Sequence, residues 1–357
     1  MRARELGIEI GTGTPGRLNA ITDVEGVRVG YTTLIEGDDV RTGVTVVLPP
    51  EQPLFAGPHR LNGNGELTGL EWVRESGMLT THVAITNTHS VGVVRDALVQ
   101  DAIERGMSED EWSLPVVGET WDGLLNDING MHVRPEHVFT ALEAAADGPV
   151  AEGNVGGGTG MICHGFKGGT GTASRVLKEE EGGYTLGVLV QANHGRRDRL
   201  AIDGAPVGRS IPLERVRLPG PDSPSGSIIG VVATDAPLLP GQCARLAQRA
   251  GLGVARTGGA GENSSGDIFL AFATGNRDLG RTEGTVAVEM LPNDRINPLF
   301  YAAIEATEEA IVNALVAAET MTGRGGVTAY ALEPELLLEA LGKRRGGTSA
   351  SKEARSA

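Results

Sequence analysis

The chain has 357 residues, of which 40% are apolar, 4% aromatic and 53 glycine, and it is long enough to bury a substantial core. This composition is typical of a glycine-rich globular α/β protein. The net charge of −15 argues against nucleic-acid binding and would modestly favour cationic substrates. No window approaches the roughly 18 unbroken apolar residues of a membrane helix, and the N-terminal segment lacks the apolar run of a secretory signal. Because Cys163 and Cys243 are also too few for a disulfide framework, we expect a cytoplasmic protein.

Short β-branched segments alternate with a few amphipathic ones along the chain. Apolar residues that repeat every three or four positions predict helices, and short apolar runs bounded by turn residues predict strands. Asn297 followed by Pro298 predicts a helix N-cap with proline in the first turn. The predicted strands cover residues 42–49, 82–88, 116–117, 184–192, 228–233, 268–273 and 285–291, and the predicted helices cover residues 92–106, 240–252, 297 to about 321, and 333–341.

One clear break interrupts this pattern, at the segment LPGPDSPSG of residues 218–226. Its prolines, glycines and serines predict an exposed loop. Both flanks are rich in predicted strands, and the second half has no separate apolar complement of its own. We therefore predict a single domain over residues 1–342, followed by a small, polar and basic tail, residues 343–357, that we expect to be disordered.

Several familiar motifs are absent. The segment GNVGGGTGM of residues 153–161 resembles a phosphate loop but lacks its lysine and its spacing, so tight turns are the better interpretation. The histidines include no HExxH arrangement, and the two cysteines lack metal-ligand spacing. No GxSxG nucleophile elbow occurs either. The sequence spacing therefore predicts neither a bound metal nor a cofactor.

Ser227 lies where the proline-rich loop meets a predicted buried strand. It can be read as an ordinary turn residue, but a second reading carries chemistry. If the bond between Gly226 and Ser227 were cut, the new α-amine would serve as the base for the serine hydroxyl. That amine has a reference pKa of about 7.7–8.0, so a useful fraction is neutral at pH 7. Glycine before the serine would offer little steric hindrance to attack on its carbonyl.

The chain resembles the DmpA-type peptidases, which comprise L-aminopeptidase/D-esterase-amidases and β-aminopeptidases. The resemblance extends over about residues 4–322 and rests on the order and spacing of several blocks rather than on any one of them. The blocks are NAITDVEGVRVGYTTL, TGVTVVLP, PVVGETWDGLLNDI, GNVGGGTGMICHGFKGGTGTASR, GVLVQANHG, GSIIGVVATDAPLLP and SGDIFLAFATGN.

The resemblance implies a four-layer αββα sandwich, similar to N-terminal-nucleophile hydrolases, and a precursor that cleaves itself. Ser227 corresponds to the nucleophile at the start of the second chain, so cleavage would yield residues 1–226 and 227–357. Ser265 and Asp267 correspond to the serine and acidic residue that assist it. Asn193 corresponds to the amide that faces the oxyanion. On the residues alone, Ser265 and Asp267 would be read as a turn before a strand, and Asn193 as part of an Asn-His-Gly turn.

Substrate recognition is implied in the same way. Glu119 corresponds to the carboxylate that holds the free amine of the substrate, which restricts cleavage to N-terminal residues. Trp121 is a departure, because some relatives have tyrosine there; an indole N–H donates from a different place and is not an acid with a pKa near 10. We expect Trp121 to line the substrate pocket. The expected substrates are small peptides, amino-acid amides or esters, the expected assembly is a homo-oligomer of cleaved units, and no metal, cofactor, nucleic acid or membrane is implied.

Two other interpretations stay open on the sequence. The first is an endo-acting hydrolase of oligoamides or an acyltransferase of the same superfamily, although oligoamide hydrolases often begin the second chain with threonine. The second is an uncut, non-catalytic protein that binds a small ligand on the same fold. Ser227, Asn193, Ser265, Asp267 and Glu119 occurring together favour the enzyme.

Overall fold

A computed structural model describes residues 1–50, 52–220 and 226–342 of the chain. Its strands are β1 (Arg28–Glu36), β2 (Val40–Leu48), β3 (Leu54–Gly63), β4 (Met78–Leu79), β5 (Val83–Asn87), β6 (Val116–Thr120), β7 (Ile162–Cys163), β8 (Phe166–Lys167), β9 (Gly169–Val176), β10 (Thr185–Asn193), β11 (Gly226–Thr234), β12 (Ser265–Ala273), β13 (Met321–Thr322) and β14 (Thr328–Ala329). Its α-helices are α1 (Leu70–Ser76), α2 (Val91–Glu104), α3 (Pro135–Glu143), α4 (Val207–Ser210), α5 (Pro240–Arg256), α6 (Asn297–Ala317) and α7 (Pro334–Ala340).

Two stacked sheets form the middle of the molecule. The smaller sheet has the strand order β1-β2-β5-β6, and the larger has the order β4-β3-β12-β11-β10-β9. Apolar side chains from both sheets form one buried cluster between them; Val47 and Ile85 of the small sheet and Ile229, Val231 and Leu270 of the large sheet belong to it. Strands buried on both faces read as continuous apolar runs, which is why residues 228–233 lack alternation.

Helices cover the outer face of each sheet. Helices α5 and α6 pack on the large sheet, and α2 and α3 pack on the small one, each with its own apolar cluster. Helix α5 begins at Pro240, and the Gln242 side chain accepts the backbone N–H of Leu239 over 3.0 Å, which caps its first turn. The layers therefore run helix, sheet, sheet, helix, and the expected αββα sandwich is confirmed.

Most predicted elements occur with shifts of a few residues at their ends, but one predicted strand is wrong. Residues 285–291 form no strand; all but Val286 and Leu291 are exposed to solvent, and the segment is held by a pair of hydrogen bonds between Asn276 and the backbone of Glu289. The β-branched pattern lacks a neighbouring strand with which to pair. Helix α6 begins at Asn297 itself rather than after it, and it ends at Ala317.

The break in the sequence lies beside the start of β11. Gly226, which we assigned to the predicted loop, is the first residue of that strand. The rest of the loop prediction falls partly on residues 221–225, and the predicted tail, residues 343–357, lies wholly outside the described residues. Strand β11 lies in the interior of the large sheet, between antiparallel β10 and parallel β12.

Candidate active site

Three neighbouring strands bring the site residues to one edge of the large sheet. Strands β11 and β12 are parallel and begin at this edge, whereas antiparallel β10 ends there. In the resulting register Asn193 lies opposite Ser227, and Ser227 lies opposite Gly266. Strand pairing alone therefore places side by side three residues that are far apart in sequence.

Ser227 is almost fully buried, with 4% of its surface exposed, and its Oγ accepts the backbone N–H of Gly266 over 3.3 Å. The residue before it has to be glycine for steric reasons. A Cβ on Gly226 would lie 2.2 Å from the carbonyl oxygen of Asn193 and 2.9 Å from Cα of His194. Because real Cβ atoms do not approach that closely, the scissile bond predicted from the sequence lies where two backbones come into close contact.

Ser265 and Asp267 form a hydrogen-bonded pair next to Ser227. The Ser265 hydroxyl donates to Asp267 Oδ1 over 2.6 Å, and the Asp267 carboxyl also accepts the backbone N–H of Ile228. Burial raises the pKa of Asp267 to about 6, and the negative charge of Glu262 adds to the rise. The pair thus contacts the strand that carries the nucleophile, and the pKa of Asp267 is closer to neutrality than that of an exposed aspartate.

The side-chain amide of Asn193 has a fixed orientation. Its Oδ1 accepts the N–H of Ile162 over 2.8 Å, and its Nδ2 donates to the carbonyl of Trp121 over 2.9 Å. Since a backbone N–H can only donate and a carbonyl can only accept, these partners define which end of the amide is which. Nδ2 carries a second N–H, which is available to another acceptor.

Glu119 lies on β6, and only 2% of its surface is exposed. Its Oε1 accepts the N–H of Glu66 over 2.9 Å, and its Oε2 accepts the hydroxyl of Thr88. Burial raises the pKa of this carboxyl, although both hydrogen bonds and the nearby His89 act in the opposite direction. Within residues 1–50, 52–220 and 226–342, no lysine or arginine forms an ion pair with it.

Glu119 and Ser227 are connected through two glycines. A Cβ on Gly65 would lie 2.9 Å from Glu119 Oε1 and 3.1 Å from Cα of Gly266, the residue that donates to Ser227 Oγ. Only a chain without side chains at this point lets the carboxylate approach the strand edge so closely. Gly65 also lines a neighbouring cleft of about 440 Å³, whose other lining residues include Arg60, Trp72 and Ile268.

Trp121 and Asp122 follow Glu119 directly and differ in their surroundings. The Trp121 side chain is 41% exposed, and its carbonyl holds the Asn193 amide. Asp122 is buried and accepts the Asn126 amide over 3.1 Å, and burial raises its pKa to about 7. Asp122 is therefore part of a buried polar network, whereas Trp121 presents its indole to the solvent.

The structure brings together the five predicted residues Glu119, Asn193, Ser227, Ser265 and Asp267. Sequence reasoning missed the backbone donors of Glu66 and Gly266 and the hydroxyl of Thr88. Thr88 ends a predicted strand, and a polar side chain at that position could have been named as a candidate site residue. A backbone N–H group has no such signature in the sequence. Behind Asn193, the side chains of Cys163, His164 and His194 form a separate buried cluster that could hold a metal ion.

Comparisons with known proteins agree with this geometry. The sequence profile described as peptidase family S58 matches residues 19–329. A beta-peptidyl aminopeptidase BapA of Sphingosinicella microcystinivorans is 50% identical, over 98% of this chain and 94% of that protein.

Solved structures give the same picture. A β-aminopeptidase of a Burkholderia species is 58% identical and superimposes with a TM-score of 0.90, over 96% of this chain and 98% of that one. The L-aminopeptidase D-Ala-esterase/amidase of Ochrobactrum anthropi, described as a prototype of the serine aminopeptidases with a variant of the Ntn-hydrolase fold, is 45% identical. Its TM-score is 0.87, over 96% of this chain and 99% of that one.

Within the described ranges, no helix is both long and apolar enough to cross a bilayer.

The family profile spans most of the chain, and the relatives cover nearly all of it at 45–58% identity. The chain therefore belongs to peptidase family S58 and is a serine aminopeptidase with the N-terminal-nucleophile hydrolase fold.

Proposed function

We propose that the chain matures by cutting its own bond between Gly226 and Ser227. Ser227 Oγ attacks the Gly226 carbonyl carbon, the C–N bond breaks, and the acyl group passes to oxygen as an ester. Water then hydrolyses the ester, which leaves a carboxylate on Gly226 and a free amine on Ser227. The close packing of Gly226 against the Asn193 carbonyl and the N–H of Gly266 at Ser227 Oγ support this assignment.

In turnover, the freed amine takes the proton of the Ser227 hydroxyl as Oγ attacks the substrate carbonyl. We assign stabilisation of the oxyanion to the second N–H of Asn193 Nδ2. The fixed orientation of this amide between Ile162 and Trp121, and the position of Asn193 opposite Ser227, support this assignment. The amine returns the proton to the leaving group, and water releases the acyl group from Ser227. Ser265 and Asp267 assist this step as a hydrogen-bonded pair. The Ser265 hydroxyl orients the groups around Ser227, and the Asp267 carboxylate stabilises the positive charge that forms on the amine.

The environment of the Glu119 carboxylate is the observation that best supports the aminopeptidase assignment. Its carboxylate is buried beside the nucleophile strand without an ion pair to any described lysine or arginine. Such a group is stabilised when a cation arrives, and the ammonium of a substrate's N-terminal residue supplies one. An enzyme with this arrangement accepts free amino termini and rejects blocked ones.

For the substrate, we propose peptides and amides whose first residue is a β-amino acid. Two of the most similar proteins are named for β-peptidyl or β-aminopeptidase activity, at 50% and 58% identity. We expect the partly exposed Trp121 to line the substrate entrance, and we expect the cleft beside Gly65 to receive one end of the substrate.

We further propose that residues 1–342 act as one domain after cleavage, because β10 and β11 remain paired across the cut. We expect cleaved units to assemble into a homo-oligomer. Both cysteines are free, which fits a reducing cytoplasm.

The experiment compares β-alanyl, L-alanyl and N-acetyl-β-alanyl p-nitroanilides with wild-type enzyme and Glu119→Gln. We expect the β-alanyl compound to be the best substrate and the acetylated one to be inert. We expect the Gln variant to lose activity on both free-amine substrates. Equal hydrolysis of the acetylated compound would overturn the role of Glu119 and favour the endo-acting alternative.

The acyltransferase alternative is separated by product analysis. Addition of a second amine, such as an amino-acid amide, should leave hydrolysis dominant at low concentrations of that amine. Predominant transfer to it would instead identify the chain as an acyltransferase.

A further inference from the structure

Cys163, His164 and His194 form a compact cluster behind the site. Cys163 ends β7, His164 follows in the turn before β8, and His194 comes directly after β10. All three are buried, with at most 2% of their surface exposed. One sulfur and one ring nitrogen from each histidine lie within 4.8 Å of one another.

The hydrogen bonds of the cluster are incomplete. His164 Nδ1 pairs with the carbonyl of Arg196 over 3.0 Å, which leaves its Nε2 facing the interior. Nε2 of His164 and Nε2 of His194 are both buried without a hydrogen-bond partner in the described structure. Buried polar atoms normally have partners, so the unpartnered Nε2 of His164, close to a thiol that Nδ1 of His194 also approaches, indicates a ligand-binding position.

We propose that Cys163, His164 and His194 bind a thiophilic divalent cation, of which zinc is the best match. Cysteine thiolate and histidine nitrogen are both zinc ligands, and zinc sites with three protein ligands leave a fourth position to water or substrate. Zinc bond lengths require a sulfur–nitrogen separation of roughly 3.6 Å at the tetrahedral angle. Sγ of Cys163 lies 3.9 Å from Nδ1 of His194, which is close to that requirement.

The charges around the cluster are mixed. Glu262 acts on His164 with a negative charge, and its Oε1 is also buried without a partner. Lys167 interacts electrostatically with Cys163, and Arg197 contacts the His164 carbonyl over 3.1 Å. Burial raises the pKa of the Cys163 thiol, the charge of Lys167 opposes part of that rise, and Glu262 offsets part of the positive charge that an ion would add. On binding, the Cys163 S–H bond gives its proton to water and the sulfur bonds to the ion.

The cluster lies next to Asn193, to which we assigned stabilisation of the oxyanion. The residue before Cys163, Ile162, donates to Asn193 Oδ1, and the residue after Asn193 is His194. An ion held by both segments therefore ties the β7–β8 hairpin to the end of β10. It would position Asn193 without contacting substrate.

The test is metal content after expression in zinc-supplemented medium, followed by dialysis against a chelator. The full chain is compared with Cys163→Ser and His194→Gln, and Cys243→Ser serves as the matched control because Cys243 is the other buried free cysteine. We expect one ion per chain in the wild type and the control, and a fall of more than about tenfold in the two cluster variants.

Cobalt substitution of the wild type provides a readout that needs no variant. A thiolate-to-cobalt charge-transfer band is expected if Cys163 is a ligand. Absence of bound metal in the wild type, equal metal content in Cys163→Ser, or bound cobalt without that band would each overturn the proposal.

Discussion

Two buried glutamates, Glu309 and Glu119, occupy contrasting environments. Glu309 on α6 contacts Arg4 and Arg175, each over 2.8 Å, and the amide of Asn19 over 2.6 Å. These partners outweigh burial and lower its pKa. Glu119 has hydrogen bonds but no lysine or arginine partner among the described residues, and burial raises its pKa. In the described part of the chain, arginines neutralise the structural carboxylate of Glu309, whereas no lysine or arginine pairs with Glu119 near Ser227.

This difference separates stability from function. A paired buried charge is costly to break, whereas an unpaired one costs free energy of folding until a ligand arrives. Removing the charge should therefore destabilise the fold at Glu309 and impair only recognition at Glu119. The following variants test that contrast, and stability is measured in the uncut Ser227→Ala background so that a single chain unfolds.

The largest effect is expected at Glu309. Glu309→Gln leaves Arg4 and Arg175 without full compensation, and we expect a loss of about 3 kcal/mol in the free energy of unfolding at pH 7. Because folding lowers the pKa of Glu309, this loss should shrink as the pH falls through the folded pKa. Denaturant titration against the exposed control Glu75→Gln measures it, and a loss below about 1 kcal/mol would refute the contrast.

Glu119→Gln should have the opposite signature. The amide still accepts the Glu66 N–H and donates to Thr88, so we expect no loss of stability at pH 7. Folding raises the pKa of Glu119, so ionisation destabilises the wild type as pH rises above its unfolded value; the variant lacks this penalty.

The same variant tests recognition. We expect kcat/KM for free-amine substrates to fall about 100-fold, which corresponds to about 2.7 kcal/mol. Glu66→Gln is the control for loss of a nearby negative charge, because Glu66 hydrogen-bonds Glu119 through its backbone N–H and its carboxylate acts on Glu119 only through its charge. Equal losses in both variants would mean that Glu119 does not bind the amine.

A smaller effect is expected in the pH profile. The Ser227 amine must be neutral, which gives one proton of dependence below about pH 7.7–8.0. Asp267, with its pKa raised to about 6, should add a second proton below that pH if its charged form is required. Glu262→Gln removes a negative neighbour and should move this steeper limb to lower pH. A profile with a single slope in both proteins would exclude a role for ionised Asp267.

The smallest effect is expected at Trp121. Its side chain is 41% exposed, so Trp121→Phe should change stability by less than about 0.5 kcal/mol. We expect a few-fold change in KM among substrates that differ in their first residue, with kcat for the best substrate little affected. A large loss of kcat with every substrate would indicate that the indole acts at the oxyanion.

The sequence predicted the individual helices and strands better than it predicted how they pack and pair. Continuous apolar runs located β11 and β12, but the β-branched pattern of residues 285–291 predicted a strand that does not form, because no neighbouring strand pairs with it. The four layers and the roles of Asn193 and Glu119 came from resemblance. Pairing of β10, β11 and β12 places Asn193 beside Ser227, and no local pattern encodes that register.

The backbone donor of Gly266 and the cluster of Cys163, His164 and His194 could not be predicted from the sequence for a related reason. The N–H of Gly266 has no side-chain signature. Cys163 and His194 are far apart in sequence and meet only because a hairpin folds against the end of β10. Ligand spacing along the chain therefore predicted no metal site there.

The most direct test of the central claim is the intact mass of freshly purified protein, with N-terminal sequencing, for wild type and Ser227→Ala. We expect two wild-type chains, the second beginning Ser-Ile-Ile-Gly, and a variant that stays at 37.1 kDa. A folded wild type that remains uncut, or a Ser227→Ala variant that is still cut before residue 227, would contradict the account.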